Sequence, residues 1–574
     1  MRSKRLGYKE ACMNLNRFCC MPLSNMDYRQ HVLVGLAALV FHYAQHDYEL
    51  DFVVLHLLGI FFSLCTLHTT VLTVSLGLSI NAALHTTASL ASTFAGTLTV
   101  SISIYRVFFH RLHHFPGPFM ARLTKGYQLY RTVLDSRKYA LVHEYHQKYG
   151  PVVRTGPREL SILSLPAIQA IYGASTTTTK SVFYNQQYND GHGTLMFTRD
   201  KENFLRRRKA WDKAMNGAAL RMYEPRMEVI LNILLDTLEK ANGDPVDWTL
   251  LARYYAFDMI GEVGVGKSYD QLITGKTNSA VPALRMTGWW VGVVGSMPWL
   301  FRVVACIPIA KIGGVVSEFL TWCGEQMDTT LKNGPKPDGH TTILDFLLYD
   351  EITGFGKLPY TATEDDCRAL IAGGSDTAAG QISSMFYYLS QHPDVMKKLQ
   401  KDLDEAFPNH KYDSKISVPY LDAIINESLR LLPALARGLP RTTCKEGMTI
   451  DGLYIPGYTI VSVPTYSIHR DPRYWERPND FWPERWIKGV GAEAMKCFMP
   501  FTMATNCVSY KVENGCCTFY SDMGCEVKLF TAHNRSHLYR NWRTSCTQTS
   551  FLQMPLQWLR GLVDGRRMAD VTCT

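Results

Sequence analysis

No Cys-x-x-Cys pair occurs among the 15 cysteines of this sequence, and they are scattered rather than densely spaced. That arrangement excludes a disulfide-stapled scaffold and favours a reducing, cytosol-facing body in which most thiols act as small buried hydrophobes. Charge is also sparse. Asp, Glu, Lys and Arg make up 19% of the residues, below the usual quarter or so. The net charge is +9, acids are interspersed with bases, and no long Lys/Arg run occurs. No nucleic-acid partner is expected from such a pattern, whereas a modest positive excess suits an anionic membrane surface. Internal repeats and low-complexity tracts are absent too. With 46% hydrophobic content over 574 residues, disorder is excluded for most of the chain, and one large core or two moderate ones can be buried.

Apolar sequence is abundant up to about Arg111. It runs through Val32–Tyr43, Phe52–Leu67 and Thr69–Val107, interrupted by His46-Asp47-Tyr48-Glu49. A helix needs about 20 apolar residues to cross a bilayer, so residues 1–111 read as a membrane anchor of two or three spans, the first one short. The apolar content extends well past the h-region of a signal peptide. Arg106, His110, Arg111, His113 and His114 crowd the exit, which favours a cytosolic position for the body of the chain. Arg2, Lys4 and Arg5 pull the other way for an odd number of spans, so the count stays open.

From Pro116 onward, long helical patterns alternate with short strand-like pieces. Tyr139–Tyr149 reads as a helix ended by Gly150-Pro151, and residues 152–157 and 160–163 as a strand hairpin. Lys201–Met215, Tyr223–Glu239, Val316–Leu331 and Asp366–Ser390 carry helical periodicity. Inside the last of these stands Gly373-Gly374-Ser375-Asp376-Thr377. Each glycine costs a helix interior about 1 kcal/mol relative to Ala, which suggests a kink or a groove beside a ligand. An acid and a hydroxyl next to that groove can relay protons, although close helix packing with an exposed Asp-Thr pair accounts for the same residues. Further on, Glu427 and Arg430 share a helix face, and Arg485 within Pro483-Glu484-Arg485-Trp486 can complete a buried charge network.

In order and spacing this set resembles the cytochrome P450 family. That family has a Gly/Ala-Gly-x-Asp/Glu-Thr motif on its long central helix, then Glu-x-x-Arg, then Pro-Glu-Arg-Trp/Phe. His469-Arg470-Asp471-Pro472 is similar to the stretch before the family's haem pocket, and Pro116-Gly117-Pro118 to its proline-rich hinge. The resemblance implies a mostly α fold with a small β-rich subdomain over 112–507, preceded by transmembrane helices. It implies haem b (iron protoporphyrin IX), with electrons from NADPH supplied by a separate NADPH-cytochrome P450 reductase. The absence of a fused dinucleotide-binding glycine fingerprint agrees with a separate reductase. The implied site residues are Gly373, Gly374, Arg208, Trp211, Arg441 and Phe501 around the haem, and Asp376 and Thr377 for proton delivery. Glu427, Arg430 and Arg485 form the charge network, and Cys507 is the iron ligand. A membrane location, with the catalytic domain on the cytosolic side of the endoplasmic reticulum, goes with it. The expected activity is hydroxylation of a small lipophilic substrate such as a terpenoid, steroid or polycyclic aromatic. Met286–Trp299 reads as a pocket-lining region, although packing in the core or against lipid suits it equally.

The haem loop departs from the family's Phe-x-x-Gly-x-Arg-x-Cys-x-Gly. Phe501-Thr502-Met503-Ala504-Thr505-Asn506-Cys507 is one residue short, Ala504 replaces Gly, no Arg matches, and Ser509 stands for the closing Gly. Cys497 is a weaker ligand candidate. Residues 508–574 lack the expected helix and strand pair. Val508-Ser509 is what a common intron donor, GTAAGT or GTGAGT, encodes, so read-through of an unspliced intron is one reading of this tail. A divergent but genuine C-terminus is the other. With such a tail, a catalytically impaired P450-like membrane protein is the alternative to an active enzyme.

Overall fold

The computed structural model describes residues 23–502 except 47, 49, 51–52, 136, 185–192, 243, 296, 306–310, 335–341, 350–359 and 409–415, and also 512–513 and 516–517. The chain divides into two compact units, Met1–His114 and Phe115–Thr574.

The first unit contains helices α1 (Leu23–Gln45), α2 (Val54–Val74) and α3 (Ile80–Ile104), the last continued by a π-helical turn at Tyr105–Phe109. Thr69–Val107, one apolar stretch by composition, is in fact split. Gly77 takes a left-handed φ of 67°, and Ser79 caps α3 by accepting a hydrogen bond from the Ala82 amide. Two helices, Val54–Val74 and Ile80–Phe109, are long and apolar enough to cross a membrane. Polar pairs tie the helices together: His31 to Thr93 at 2.7 Å, His42 to Ser101 at 2.8 Å and His68 to Thr87 at 2.9 Å. Such bonds hold helices where water offers no competing partner.

The second unit is mostly helical. Its elements used below are α4 (Gly126–Leu134), α5 (Lys138–Tyr149), β1 (Val152–Gly156), β2 (Glu159–Ile162), β3 (Thr179–Lys180), α6 (Lys201–Ala214), α7 (Gly217–Lys240), α8 (Trp248–Ile260), α9 (Ala280–Val294), α10 (Lys311–Asn333), α11 (Tyr360–Gln391), α12 (Pro393–Ala406), α13 (Pro419–Leu431), β4 (Arg441–Thr442), β5 (Met448–Ile450), β6 (Leu453–Ile455), β7 (Ile460–Ser462), α14 (Glu484–Lys488) and α15 (Ala492–Cys497). Capping residues set several starts. Asp200 accepts from the Glu202 and Asn203 amides, and Asp247 from Leu250. Asn216 caps α7 ahead of the expected start at Tyr223, and Pro225 does not end that helix.

One sheet runs in the order β1-β2-β7-β4-β3. Its β1–β2 hairpin is antiparallel, while β2 pairs in parallel with the distant β7. The core lies among the helices. At 32 residues, α11 is about 48 Å long, and it packs closely on α8. A Cβ added at Gly374 would stand 2.5 Å from Ile260 Cδ1, so a larger residue there would push the two helices apart. Trp248 and Phe386 meet across the same interface with ring centroids 4.5 Å apart. Fully burying a side chain of this kind stabilises by roughly 1.5–3 kcal/mol.

Candidate active site

Helix α11 runs unbroken through Gly373 and Gly374, so the glycine pair makes a groove rather than an interruption. Its two members do different things. Gly374 admits Ile260, whereas nothing lies within 4 Å of a Cβ built on Gly373. The Gly373 side therefore leaves an open face on the helix. Thr377 donates to the Gly373 carbonyl at 2.5 Å, and Ser375 to Ile371 at 2.7 Å. Asp376 is exposed on the helix surface, yet the protein packed around that side still raises its carboxyl above the ordinary carboxylate range. Burial is the cause, and Arg253 on α8 and Arg285 on α9 pull the other way. A carboxyl held between these influences can both take and release a proton.

The Glu427 carboxylate is fully buried and accepts hydrogen bonds from five N–H groups. Arg430 donates Nη2 to Oε1 at 2.9 Å and Nε to Oε2 at 3.0 Å. Arg485 Nε, the Trp482 amide and Trp486 Nε1 donate at 3.1, 3.0 and 2.9 Å. The remaining Arg430 protons go to the carbonyls of His469, Pro478 and Asp480. Those of Arg485 go to Glu476 and Arg477. One carboxylate thereby locks α13, α14 and the connecting 476–482 segment into a single arrangement.

His469 extends this lock toward the cysteine loop. Its Nδ1 lies 3.1 Å from the Arg430 carbonyl, and its Nε2 accepts from the Met499 amide at 2.9 Å. The second bond requires a neutral ring with the proton on Nδ1. Burial, reinforced by Arg430, lowers the His469 pKa to about 3. Two residues beyond Met499, Phe501 is buried in the core, and Thr502 turns left-handed with a φ of 68°. Cys507 lies outside the described residues. Cys497, at the end of α15, is fully buried, and burial pushes its thiol up to about 12. A thiol kept protonated in this way is a poor metal ligand.

On α6, Arg207 is the more deeply buried arginine, while Arg208 is half-buried. Arg207 is fully buried, pairs with Asp366 through two nitrogens, and donates to the Gly193 carbonyl at 2.5 Å and the Ala362 carbonyl at 2.9 Å. Arg208 instead reaches Asp212 one turn along at 3.3 Å. Burial raises Asp366, while Arg207 and the Leu195 amide oppose that rise. Trp211 is buried alongside, near enough to help hold the Asp366 charge but without completing a hydrogen bond through its Nε1. Lys180, at the end of β3, donates to the Leu195 and Met196 carbonyls at 3.2 and 2.8 Å. Its pKa falls to about 7, through burial first and then through Arg441 and Arg207. Arg441 is buried on β4 with its guanidinium 5.7 Å from the Tyr184 ring, and its Nε has no hydrogen-bond partner among the described residues. Arg207, matched by Asp366, and Arg441 both stand close enough to Lys180 to lower its pKa, so three basic side chains share this region.

Sequence patterns alone do not single out Lys180, Asp366, Arg253, Arg285 or His469 as site residues. Only the last belongs to a recognised stretch, His469-Arg470-Asp471-Pro472. The others come from separate elements and carry no local spacing signal.

The Cytochrome P450 family model matches residues 116–508. The chain is 36% identical over 418 residues to cytochrome P450 monooxygenase FCK2 of Fusarium pseudograminearum, covering 72% of this chain and 74% of that protein. It is 35% identical over 389 residues to cytochrome P450 monooxygenase orf5 of Eupenicillium brefeldianum, covering 68% and 78%. With the tryprostatin B 6-hydroxylase of Aspergillus fumigatus it shares 31% identity over 437 residues, covering 72% and 74%. These matches, together with a mostly helical body and a small sheet, define an oxidoreductase of the haem-iron monooxygenase class. The chain belongs to the cytochrome P450 family.

Members of that family bind haem and take electrons from a redox partner. The residues present fit the group. Arg207 is matched by Asp366, whereas Lys180 and Arg441 have no ion-pair partner among the described residues; these two basic side chains suit the propionates of a porphyrin, and the buried Arg441 Nε is a donor awaiting an acceptor.

Proposed function

We propose that this protein is a membrane-anchored monooxygenase that hydroxylates a small lipophilic metabolite, with haem b as cofactor and electrons from NADPH through a separate reductase. The observation that carries this reading is the pairing of two features in one family body. One is the open glycine groove beside Asp376 and Thr377; the other is the Lys180–Arg207–Arg441 set with its excess of positive charge. With a cysteine thiolate on its iron, haem supplies O–O cleavage and transfer of one oxygen atom to an apolar substrate, favoured by the electron density of the sulfur. Cys507 is the proposed thiolate.

Each of the chain's own residues has a part in this scheme. Lys180 and Arg441 hold the propionates, Arg207 anchors the cluster through its pair with Asp366, and Trp211 packs beside them. Gly373 leaves room on α11 for the reacting face. Asp376 takes protons from the side of Arg253 and Arg285 and passes them into the groove, where the Thr377 hydroxyl stands one residue further along the helix. Glu427, Arg430, Arg485 and His469 keep the segment before Cys507 in place. An apolar metabolite is favoured by the kinship with fungal enzymes, one of which is named for hydroxylating tryprostatin B. The two long apolar helices support a membrane location, proposed to be the endoplasmic reticulum with the catalytic body in the cytosol.

A second reading concerns the tail. The family match stops at residue 508, directly after the proposed ligand, which supports an intron-encoded segment from Val508 onward and a weakened haem site in the 574-residue chain. The carbon monoxide difference spectrum of the reduced full-length protein tests both. The red-shifted Soret band of thiolate-ligated haem, lost in Cys507→Ser, supports the enzyme; haem-free protein under saturating haem supports the impaired form. Sequencing the mature transcript decides the origin of the tail, since a spliced message encoding Ser509–Thr574 removes the intron reading.

A further inference from the structure

Neighbouring Lys180 and Arg441 in sequence, Ser181 and Pro440 help to line a separate cavity of about 40 Å³ between α4, α5 and the sheet. A single water needs only about 10–15 Å³, so this space suits one small polyatomic group and is too small for a whole metabolite. Its charged walls are Lys125, Lys138, Arg437 and Glu159. Among the described residues the only carboxylate lining it, Glu159, is taken by Lys125 at 2.7 Å. Lys138 makes no hydrogen bond or ion pair among the described residues. Arg437 makes no ion pair among them either; its guanidinium stacks 4.7 Å over the Phe183 ring. Burial, and then Arg437, lowers the Lys138 pKa to about 7. Glu159 stays below its ordinary range despite burial, because Lys125, Lys138 and Arg437 all favour its charge. Three cations around one carboxylate leave an excess of positive charge in a partly enclosed space whose charged walls are all half-buried.

We propose that this cavity is an oxyanion site in which Lys138 and Arg437 seat a carboxylate or phosphate group. The guanidinium offers a planar fork that matches such a group, and the ammonium adds a point charge. Val182, Phe183 and Ile460 add apolar surface beside the charged groups, as the acidic end of an amphipathic molecule requires. Two sources share this chemistry: a free inorganic oxyanion, or the carboxylate end of an amphipathic substrate. The second rests on the monooxygenase reading, and the first does not.

Calorimetric titration of the full-length protein in detergent, at constant ionic strength, separates them with three probes: inorganic phosphate, octanoate and octanol. Wild type is expected to bind at least one anion in preference to octanol. Lys138→Gln and Arg437→Gln each weaken that binding by about tenfold, the loss of one charge-assisted hydrogen bond. Glu159→Gln strengthens it, because a competing negative charge is gone. A merely structural role would not give opposite signs to these substitutions. Phosphate and octanoate binding alike points to the free anion; octanoate alone points to the acidic amphiphile. Melting temperatures accompany each variant, and Lys138→Met and Arg437→Leu replace any variant that does not fold. The proposal is overturned if octanol binds as tightly as octanoate, if no anion binds, or if folded variants bind anions as wild type does. Heat of binding needs neither haem nor turnover, so this outcome is independent of the spectrum that tests the monooxygenase.

Discussion

Replacing Glu427 with Ala isolates the charge network in one step. The substitution leaves five N–H groups without their acceptor, two of them on Arg430 and one on Arg485. Both guanidiniums stay at least 95% buried and keep their backbone carbonyls, but lose the carboxylate that balances them. Breaking a buried pair costs about 3–5 kcal/mol, a large share of the roughly 5–15 kcal/mol that holds a folded domain together. Glu427→Gln keeps the shape and one acceptor oxygen, so an intermediate loss is expected. Lys401→Ala serves as control, because the Lys401–Glu405 pair is exposed and its charges stand 3.7 Å apart. The assay is denaturant unfolding of purified full-length variants followed by circular dichroism and tryptophan fluorescence. If Glu427→Ala unfolds at the same midpoint as Lys401→Ala, the reasoning about a shared carboxylate is wrong.

Three further outcomes are expected. Asp376→Asn lowers the rate of product formation by about 100-fold with substrate affinity kept, measured as product formed per minute at saturating substrate; an unchanged rate excludes Asp376 as the proton relay. Lys180→Met and Arg441→Leu each lose haem on dialysis while Arg208→Met does not, read as the haem-to-protein ratio; equal retention in all three removes the propionate assignment. The two buried histidines give an acid dependence. Burial lowers His469 to about 3 and His146 to about 4 from an ordinary 6.5, so below about 6.5 the unfolded chain binds more protons than the folded one. Stability is therefore fully present above that pH and falls as pH drops toward 4, by up to about 1.4 kcal/mol per unit for each ring. Unfolding midpoints at pH 7.5, 6 and 5 for wild type and His469→Gln check this, since the variant must show the shallower slope.

The mostly helical class is legible in the sequence because the family's motifs stand in order along the chain. Glu427, Arg430 and Arg485 carry their own signal, since a three-residue spacing and a Pro-Glu-Arg-Trp block are local patterns. Arg207 and Arg208 show where such patterns stop. Consecutive residues on a helix point about 100° apart, and which one faces inward depends on Asp366, more than 150 positions along the chain. Lys180 is harder still, because its surroundings come from β4 and α6, brought together only by the sheet and the core. In the anchor, hydropathy alone shows too few breaks: Thr69–Val107 looks continuous, and a single left-handed glycine divides it. Helix starts fixed by Asn216 and Ser79 depend on side-chain caps, which hydrophobic periodicity does not register.

The bond from the Met499 amide to His469 has a mechanical meaning. With Phe501 sunk in the core and Thr502 directly after it, Cys507 stands five residues beyond a firm mooring, a reach of at most about 18 Å when fully drawn out. Cys516 and Cys517 stand more than twice as many residues away. Any C-terminal segment joined after Val508 inherits the same origin, so exchanging that segment tests the ending alone and leaves the rest of the machine untouched.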